Sequence, residues 1–327
     1  MPANQVMCLL CPKHCTLREY ERGDCRVRVN VGGELHTLIW GQSCAANIDP
    51  IEKKPLFHFL PASWAFSIAT AGCNLHCKFC QNWQISQTNP EDTRNIRMEP
   101  AEVVKEAQMN KCLSISYTYS EPIVFYEYVK DTAKLAREKG LRNVLVTAGY
   151  IDEKPLRELC RVVDATNTDL KSIRDDYYRE VCDGELAPVQ RAIKVFQAEG
   201  VWQELTYLIV PTLNDSEEDL YDCFRWIYTE LGAEVPLHLS RFFPMYQLKN
   251  LPPTPASTLN RAREIALEVG LNFVYVGNLP GNPGENTYCP GCKNILIERR
   301  GYNIGEVQIS AEGKCVFCGR AIPGVWK

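Results

Sequence analysis

Apolar and polar positions along the chain divide it into three stretches with different patterns. From about Pro61 to Asn286, short apolar runs recur at Ala65 to Ala69, Leu113 to Thr118, Asn143 to Thr147, Val162 to Thr166, Glu204 to Val210, Leu237 to Phe243 and Phe273 to Val276. Each reads as a strand, and helical stretches separate most of them. Pro100 and Pro122 can each open a helix, where the missing N–H costs nothing. Asp215 and Glu218 have the offset of a capping box. Lys139-Gly140-Leu141, Glu199-Gly200-Val201 and Val269-Gly270-Leu271 each place a glycine after a helical pattern and an apolar residue after the glycine. A glycine there accepts the left-handed C-cap conformation. Strands alternating with helices capped in this way predict an α/β fold with a parallel sheet, and six or seven such units suit a barrel or partial barrel of the (β/α)6 type.

The flanking stretches are built differently. Residues 1–60 open with Cys8, Cys11 and Cys15, followed by Cys25, a density of cysteines that suits metal ligation. Alternation over Cys25 to Asn30, then Gly32-Gly33, then Leu35 to Trp40 predicts a small hairpin. So short a segment cannot bury a core of its own, so a metal on the four cysteines would anchor it. Zinc and an auxiliary iron–sulfur cluster both suit such a set, and spacing does not choose between them. Residues 287–327 carry Cys289-x2-Cys292 and Cys315-x2-Cys318, separated by 22 residues, the pattern of a zinc ribbon. A closed four-thiolate site of that kind holds structure together.

Composition narrows the class. Hydrophobic residues make up 45% and charged residues 23% of 327, close to globular averages, and no apolar run approaches the roughly 18 residues of a membrane span. The opening residues lack a charged segment followed by an apolar one, so no signal peptide is expected. A net charge of −4 gives no footprint for sequence-independent nucleic-acid binding. Sixteen cysteines, several in Cys-x2-Cys pairs, point to metal binding in a reducing compartment, so the expected location is the cytoplasm.

The chemistry concentrates after the first strand of the central stretch. Cys73, Cys77 and Cys80 lie three and then two residues apart on one loop, with Phe79 before the last. Tetrahedral zinc would need a fourth ligand from elsewhere, whereas three cysteines on a four-iron cube leave one iron open for chemistry. Other unusual residues follow the remaining strands: Ser120-Glu121-Pro122, Thr147 to Tyr150, Asp169-Leu170-Lys171 and Pro211 to Asp215, with His238 to Arg241 on the sixth. A (β/α) barrel collects such positions on one rim, where its reactive groups lie.

The spacing Cys73-x3-Cys77-x2-Cys80 resembles the cluster loop of the radical S-adenosylmethionine (SAM) superfamily. With Cys8-Leu9-Leu10-Cys11-Pro12, Asp49 to Leu56, Cys80-Gln81-Asn82-Trp83, Asp169-Leu170-Lys171 and Asn286 to Pro290, the whole chain resembles the radical SAM enzyme of the AmmeMemoRadiSam system, itself related to pyruvate formate-lyase activating enzymes. The resemblance implies a partial barrel of the radical SAM kind and a [4Fe–4S] cluster on Cys73, Cys77 and Cys80. It also implies an oxidoreductase- or lyase-type enzyme that cleaves SAM reductively to a 5′-deoxyadenosyl radical, which takes hydrogen from an unidentified small-molecule or polypeptide substrate. It makes Phe79 a neighbour of the adenine, Ser120 and Glu121 the turn that meets the SAM amino group, and Thr147, Asp169, Lys171 and His238 further SAM-side positions. Val146 stands where related activating enzymes carry an aspartate, which argues against a monovalent cation site. The implied partners are an electron donor such as flavodoxin or ferredoxin, and Memo-type and AMMECR-type proteins. Two other functions stay open on the sequence: activation of a glycyl-radical enzyme, and a non-catalytic multi-zinc scaffold.

Overall fold

The computed structural model describes residues 4–327. Near its start Val6–Met7 pairs antiparallel with Thr16–Leu17, and strands β1 (Arg28–Val31) and β2 (Glu34–Thr37) form the expected hairpin. Gly32 and Gly33 turn it, both at positive φ (65° and 83°), the two-residue geometry that matches strand twist.

Eight strands make the central sheet: β3 (Ala45–Pro50), β4 (Trp64–Ala69), β5 (Ser114–Tyr117), β6 (Arg142–Thr147), β7 (Ala165–Asp169), β8 (Trp202–Ile209), β9 (Leu237–Arg241) and β10 (Val274–Gly277). They hydrogen bond in chain order. Strands β4 to β10 run parallel, and β3 is added antiparallel along β4. Sequence grouping placed Ala45–Pro50 with the N-terminal segment; the structure makes it the edge of the sheet. Among the described residues, β3 and β10 do not pair with each other, so the sheet is open. Helices α1 (Pro100–Met109), α2 (Tyr126–Glu138), α3 (Glu153–Cys160), α4 (Leu186–Ala198), α5 (Glu217–Leu231) and α6 (Ala256–Val269) provide the crossovers that parallel strands need.

Local signals explain most helix ends. Gly140, Gly200 and Gly270 take φ of 77°, 73° and 109° after α2, α4 and α6. The N–H groups of Leu141, Val201 and Leu271 then reach back to the carbonyls of Ala136, Phe196 and Ala266, at 2.9, 3.0 and 3.1 Å. Those bonds satisfy carbonyls that the helix leaves open. Two expectations shift. The cap of α5 is Ser216, whose Oγ accepts from the Asp219 N–H at 3.1 Å, while Asp215 accepts from the Thr212 N–H at 2.7 Å. The strand expected over Val162 to Thr166 begins at Ala165, because Val162 still closes the turn after α3 through its N–H to Leu159.

The two faces of the sheet differ in chemistry. Ile115, Tyr117, Leu145, Leu205, Tyr207, Leu239 and Val276 point to the helices and fill two apolar clusters with them. Alternation turns Ser67, Ser116, Asn167, Glu204, Thr206 and His238 to the opposite, inner face. Ile51, Leu56, Phe59 and Leu60 cover part of that face by packing on Ala65, Val144 and Ala165. Asp49 of β3 is buried there, 2.8 Å from Lys53 Nζ and 2.6 Å from Lys54 Nζ, and it accepts the Tyr119 hydroxyl. Burial alone would favour the neutral acid, but these three donors hold the carboxyl well below its usual range. Burial draws Lys54 down to about 8 with Asp49 pulling the other way. With two ammonium groups on one carboxylate the aspartate is ionised, and Lys54 keeps its proton at neutral pH.

Asp49→Asn leaves Lys54 buried without its counter-charge and is expected to cost about 3 kcal/mol near neutral pH. A depressed carboxyl pKa contributes stability that is full above the unfolded value of about 3.9 and is lost progressively as pH falls from there through the lower folded value. The gap between wild type and variant in urea unfolding should therefore begin to narrow only below about pH 4 and go on narrowing through about pH 2; a gap independent of pH would exclude this account.

Candidate functional site

The loop after β4 carries Cys73, Cys77 and Cys80, which puts them at the carboxyl end of a central parallel strand. Backbone hydrogen bonds hold it on two sides: Gly72 N–H to Ile85, and His76 and Lys78 N–H to Cys182 and Val181, at 2.8 to 2.9 Å. At φ +94° Gly72 brings its backbone against the N-terminal segment, where a Cβ would stand 2.6 Å from both the Cys25 carbonyl oxygen and Val27 Cγ1. His76 completes the junction. Its ring bonds Gln87 at 2.6 Å and Asp24 at 3.0 Å, while Lys13 bridges Asp24 and Asp183 at 3.1 and 2.8 Å.

The three thiols sit in different surroundings. Burial, with the Glu121 carboxylate nearby, pushes the Cys73 thiol well up; burial also raises Cys80, whose sulfur lies 3.1 Å from Ser86 Oγ. Cys77 is drawn down, chiefly by the thiol of Cys182 beside it. Two of the three resist ionisation as free thiols, and metal ligation is the usual means of deprotonating a buried cysteine. Their sulfurs do not gather with a fourth Cys, His, Asp or Glu on one ion-sized point among the described residues.

Around the thiols stand most of the residues singled out from the sequence. Lys171 is 8% exposed; its Nζ lies 2.8 Å from Asp169 and 5.7 Å from the centre of the Phe79 ring. Burial opposes its charge, but Asp169, Cys77 and Cys182 hold the ammonium well above its ordinary pKa. Glu121 is buried with donors of its own: Thr147 Oγ1 at 2.5 Å, the Ala148 N–H at 2.8 Å and the Ile123 N–H at 3.2 Å. These bonds tie the turn after β5 to the end of β6. The Ser120 hydroxyl and the Tyr177 hydroxyl are buried without a partner, and the Tyr177 ring lies 6.4 Å from that of Phe79. Buried polar groups normally have partners, so two open hydroxyls mark room for a polar ligand. Trp83 stacks on Tyr246 at 5.4 Å.

His238 belongs to a different setting. It is buried and bonded to Glu204 at 2.7 Å, between the rings of Phe57 and Tyr275. Glu204 also accepts the Phe57 and His58 N–H groups, and Arg299 from the C-terminal region lies 4.1 Å over Phe57. The structure thus groups Phe79, Asp169 and Lys171 beside Cys77, and Glu121 and Thr147 beside Cys73, while His238 joins the contact with the C-terminal region.

The Radical SAM superfamily profile matches residues 67–227, which contain every residue of this group. The chain belongs to the radical SAM superfamily. An uncharacterised protein of Methanocaldococcus jannaschii is 48% identical to it over 320 residues, 98% of this chain and 95% of that protein. The pyruvate formate-lyase-activating enzyme of Clostridium pasteurianum is 26% identical over 160 residues, 46% of this chain and 63% of that enzyme. A radical SAM methyltransferase from Sphaerobacter thermophilus shares the fold, with a TM-score of 0.51 and 19% identity over 67% of each chain. Radical SAM proteins are enzymes that use a [4Fe–4S] cluster and SAM, and the donor set here fits that cluster: three cysteines on one loop, a buried cation beside them and unpaired hydroxyls nearby.

At the other end of the chain the sulfurs of Cys289 and Cys318 are 3.6 Å apart and those of Cys292 and Cys315 3.7 Å. All four lie within 4.8 Å of one another. Tetrahedral zinc with bonds of about 2.3 Å sets its sulfurs about 3.8 Å apart, so this quartet has the dimensions of a zinc site. Sequence reasoning missed Tyr177, Cys182 and the Lys13–Asp24–Asp183 bridge. His76 was visible inside the cysteine motif, but its partners lie far along the chain and carried no local signal.

Gly72→Ala meets both positive φ and a backbone oxygen that cannot step aside. It is expected to cost about 3 kcal/mol or more, read as a lower guanidinium midpoint. A midpoint equal to that of wild type would show that the contact with Cys25 is loose.

Proposed function

We propose that this chain is a radical SAM enzyme in which Cys73, Cys77 and Cys80 hold a [4Fe–4S] cluster with one iron free for SAM. The observation that carries the reading is the set of three thiols on one loop at a strand's carboxyl end, Cys77 buried and Cys73 and Cys80 half-buried, without a fourth converging ligand among the described residues. When bound, the cluster supplies an electron for cleavage of SAM to a 5′-deoxyadenosyl radical, which takes a hydrogen atom from the substrate. Lys171, kept charged by Asp169, offsets the negative charge of the thiolates and stands over Phe79, the side on which SAM would lie. Glu121 and Thr147 fix the turn that presents Ser120. Ser120 and Tyr177 supply the hydroxyls that a polar cofactor can engage.

Several finer points belong to the same reading. The open sheet curves as a partial (β/α)6 barrel, with the cysteine-bearing segment before β3 and residues 287–327 packed on it. Cys289, Cys292, Cys315 and Cys318 hold a structural zinc, which their spacing supports. The motif set Asp49 to Leu56, Cys80 to Trp83 and Asn286 to Pro290 supports a reading as the radical SAM component of the AmmeMemoRadiSam system, which would have Memo-type and AMMECR-type proteins as partners and a flavodoxin or ferredoxin as electron donor in the cytoplasm. Among the described residues no helix is long and apolar enough to cross a membrane. A second reading, activation of a glycyl-radical enzyme, draws support from the similarity to the Clostridium activating enzyme.

Anaerobic reconstitution with iron and sulfide, followed by reduction in the presence of SAM, should yield 5′-deoxyadenosine, and Cys77→Ala should abolish it. Product from Cys77→Ala, or none from wild type with an intact cluster, would sink the proposal. A glycyl radical signal on an added protein substrate would select the second reading. For the C-terminal quartet, Cys318→Ser should release the zinc of purified protein while leaving reconstituted iron unchanged, as measured by metal analysis.

A further inference from the structure

The four cysteines of the N-terminal segment take no part in the site around Cys73, yet they converge. Cys8, Cys11, Cys15 and Cys25 line one small cavity of about 20 Å³. Pairing of Val6–Met7 with Thr16–Leu17 closes the first three into a loop, fastened by the Cys8 N–H to the Cys15 carbonyl at 2.9 Å. The chain at Gly23 passes beside the sulfurs: a Cβ there would be in ordinary contact with that of Cys25 at 3.7 Å and that of Cys15 at 3.8 Å. Ile123 and Val124 supply apolar wall, and Asn74, next to Cys73, supplies another part. The cavity therefore lies directly behind the loop of the first site.

Spacing decides what such a nest can hold. In the C-terminal quartet the sulfurs stand at the short separations of a single tetrahedral ion. In the N-terminal set no three sulfurs lie within 4.8 Å of one another. Among the described residues, contacts of 3.6 and 3.7 Å join the thiols of the C-terminal quartet in pairs, and none joins two of Cys8, Cys11, Cys15 and Cys25. One zinc would need all four sulfurs close together, and a two-iron cluster would need two close pairs, because each iron carries two thiolates. A four-iron cube binds each thiolate at its own corner and keeps all four apart.

Arg28 gives a second, independent observation. It lines the same cavity, is 5% exposed, and bonds Glu127 through Nη2 at 2.6 Å, but its Nε–H is buried without any partner. A buried donor left unpaired costs about 1–3 kcal/mol. A cluster bearing four thiolates is anionic, and its sulfurs accept N–H groups. We propose that Cys8, Cys11, Cys15 and Cys25 hold a second [4Fe–4S] cluster, with Arg28 Nε–H donating to one of its sulfurs. All four irons then have protein ligands, so this cluster has no corner open to SAM and differs in kind from the first.

Metal counting on the full chain tests this without reference to SAM chemistry. After anaerobic reconstitution with iron and sulfide, the Cys73→Ala/Cys77→Ala/Cys80→Ala variant should keep about four irons and four acid-labile sulfides per chain, and wild type about twice that. The variant should show the paramagnetic signal of a reduced cluster. A variant that binds no iron, about two irons, or an additional zinc in their place would overturn the proposal. Cys15→Ser, tested in an otherwise native chain, should lose about half of the wild-type iron while still yielding 5′-deoxyadenosine or at least binding SAM; retention of all the iron would overturn it equally. In the triple variant, Arg28→Gln should move the reduction midpoint to more negative potential, since the donor and its positive charge are gone. An unchanged midpoint would remove Arg28 from the assignment.

Discussion

The loop from Gly72 to Cys80 has almost no regular structure, and its shape is imposed from outside. On one side the N–H groups of His76 and Lys78 bond the turn that ends at Cys182, which comes from the crossover after β7. On the other the backbone at Gly72 presses on Cys25 and Val27 of the N-terminal segment, with no room for a side chain. Three thiols can be directed at one point only if the loop that bears them is rigid. The rigidity comes from two segments distant in sequence, and neither is part of the strand that delivers the loop.

That dependence explains why the N-terminal segment cannot be a loose appendage. Asp24 and Lys13 reach across to His76 and Asp183, so the segment, the cysteine loop and the crossover after β7 meet in one polar knot. The knot is half-exposed, and its ion pairs contribute modestly to stability. Their effect is on register: they fix which part of the loop faces inward. Asn74 carries the same connection to the interior, since its Nδ2 bonds the Tyr150 carbonyl at 2.7 Å while the residue also walls the N-terminal cavity.

Much of this architecture was legible because its causes are local. Glycine C-caps at Gly140, Gly200 and Gly270, the helix opened by Pro100 and the Gly32-Gly33 hairpin each depend on the conformational limits of one or two residues. The seven parallel strands followed from the repetition of those signals. Ala45–Pro50 gave no such sign: its one large apolar residue is Ile48, and it becomes a strand only because β4 offers it an edge. Glu121 shows a different gap. A carboxylate at the carboxyl end of a strand reads as a ligand group, yet its partners are the backbone of Ile123 and Ala148 and the hydroxyl of Thr147. His238 likewise sits on a predicted strand, but its bond to Glu204 depends on how two strands lie side by side, which spacing along one chain does not encode.

The guanidinium of Arg299 lies beneath Phe57, bonds its carbonyl at 3.0 Å and the Thr287 hydroxyl at 2.7 Å, and closes a buried assembly with His58, Tyr275 and Glu204. The C-terminal segment is therefore keyed onto the amino-terminal ends of β8, β9 and β10. Trimming it would leave Glu204, His238 and Tyr275 facing water, and a shortened chain should be expected to lose its packing on that side of the sheet.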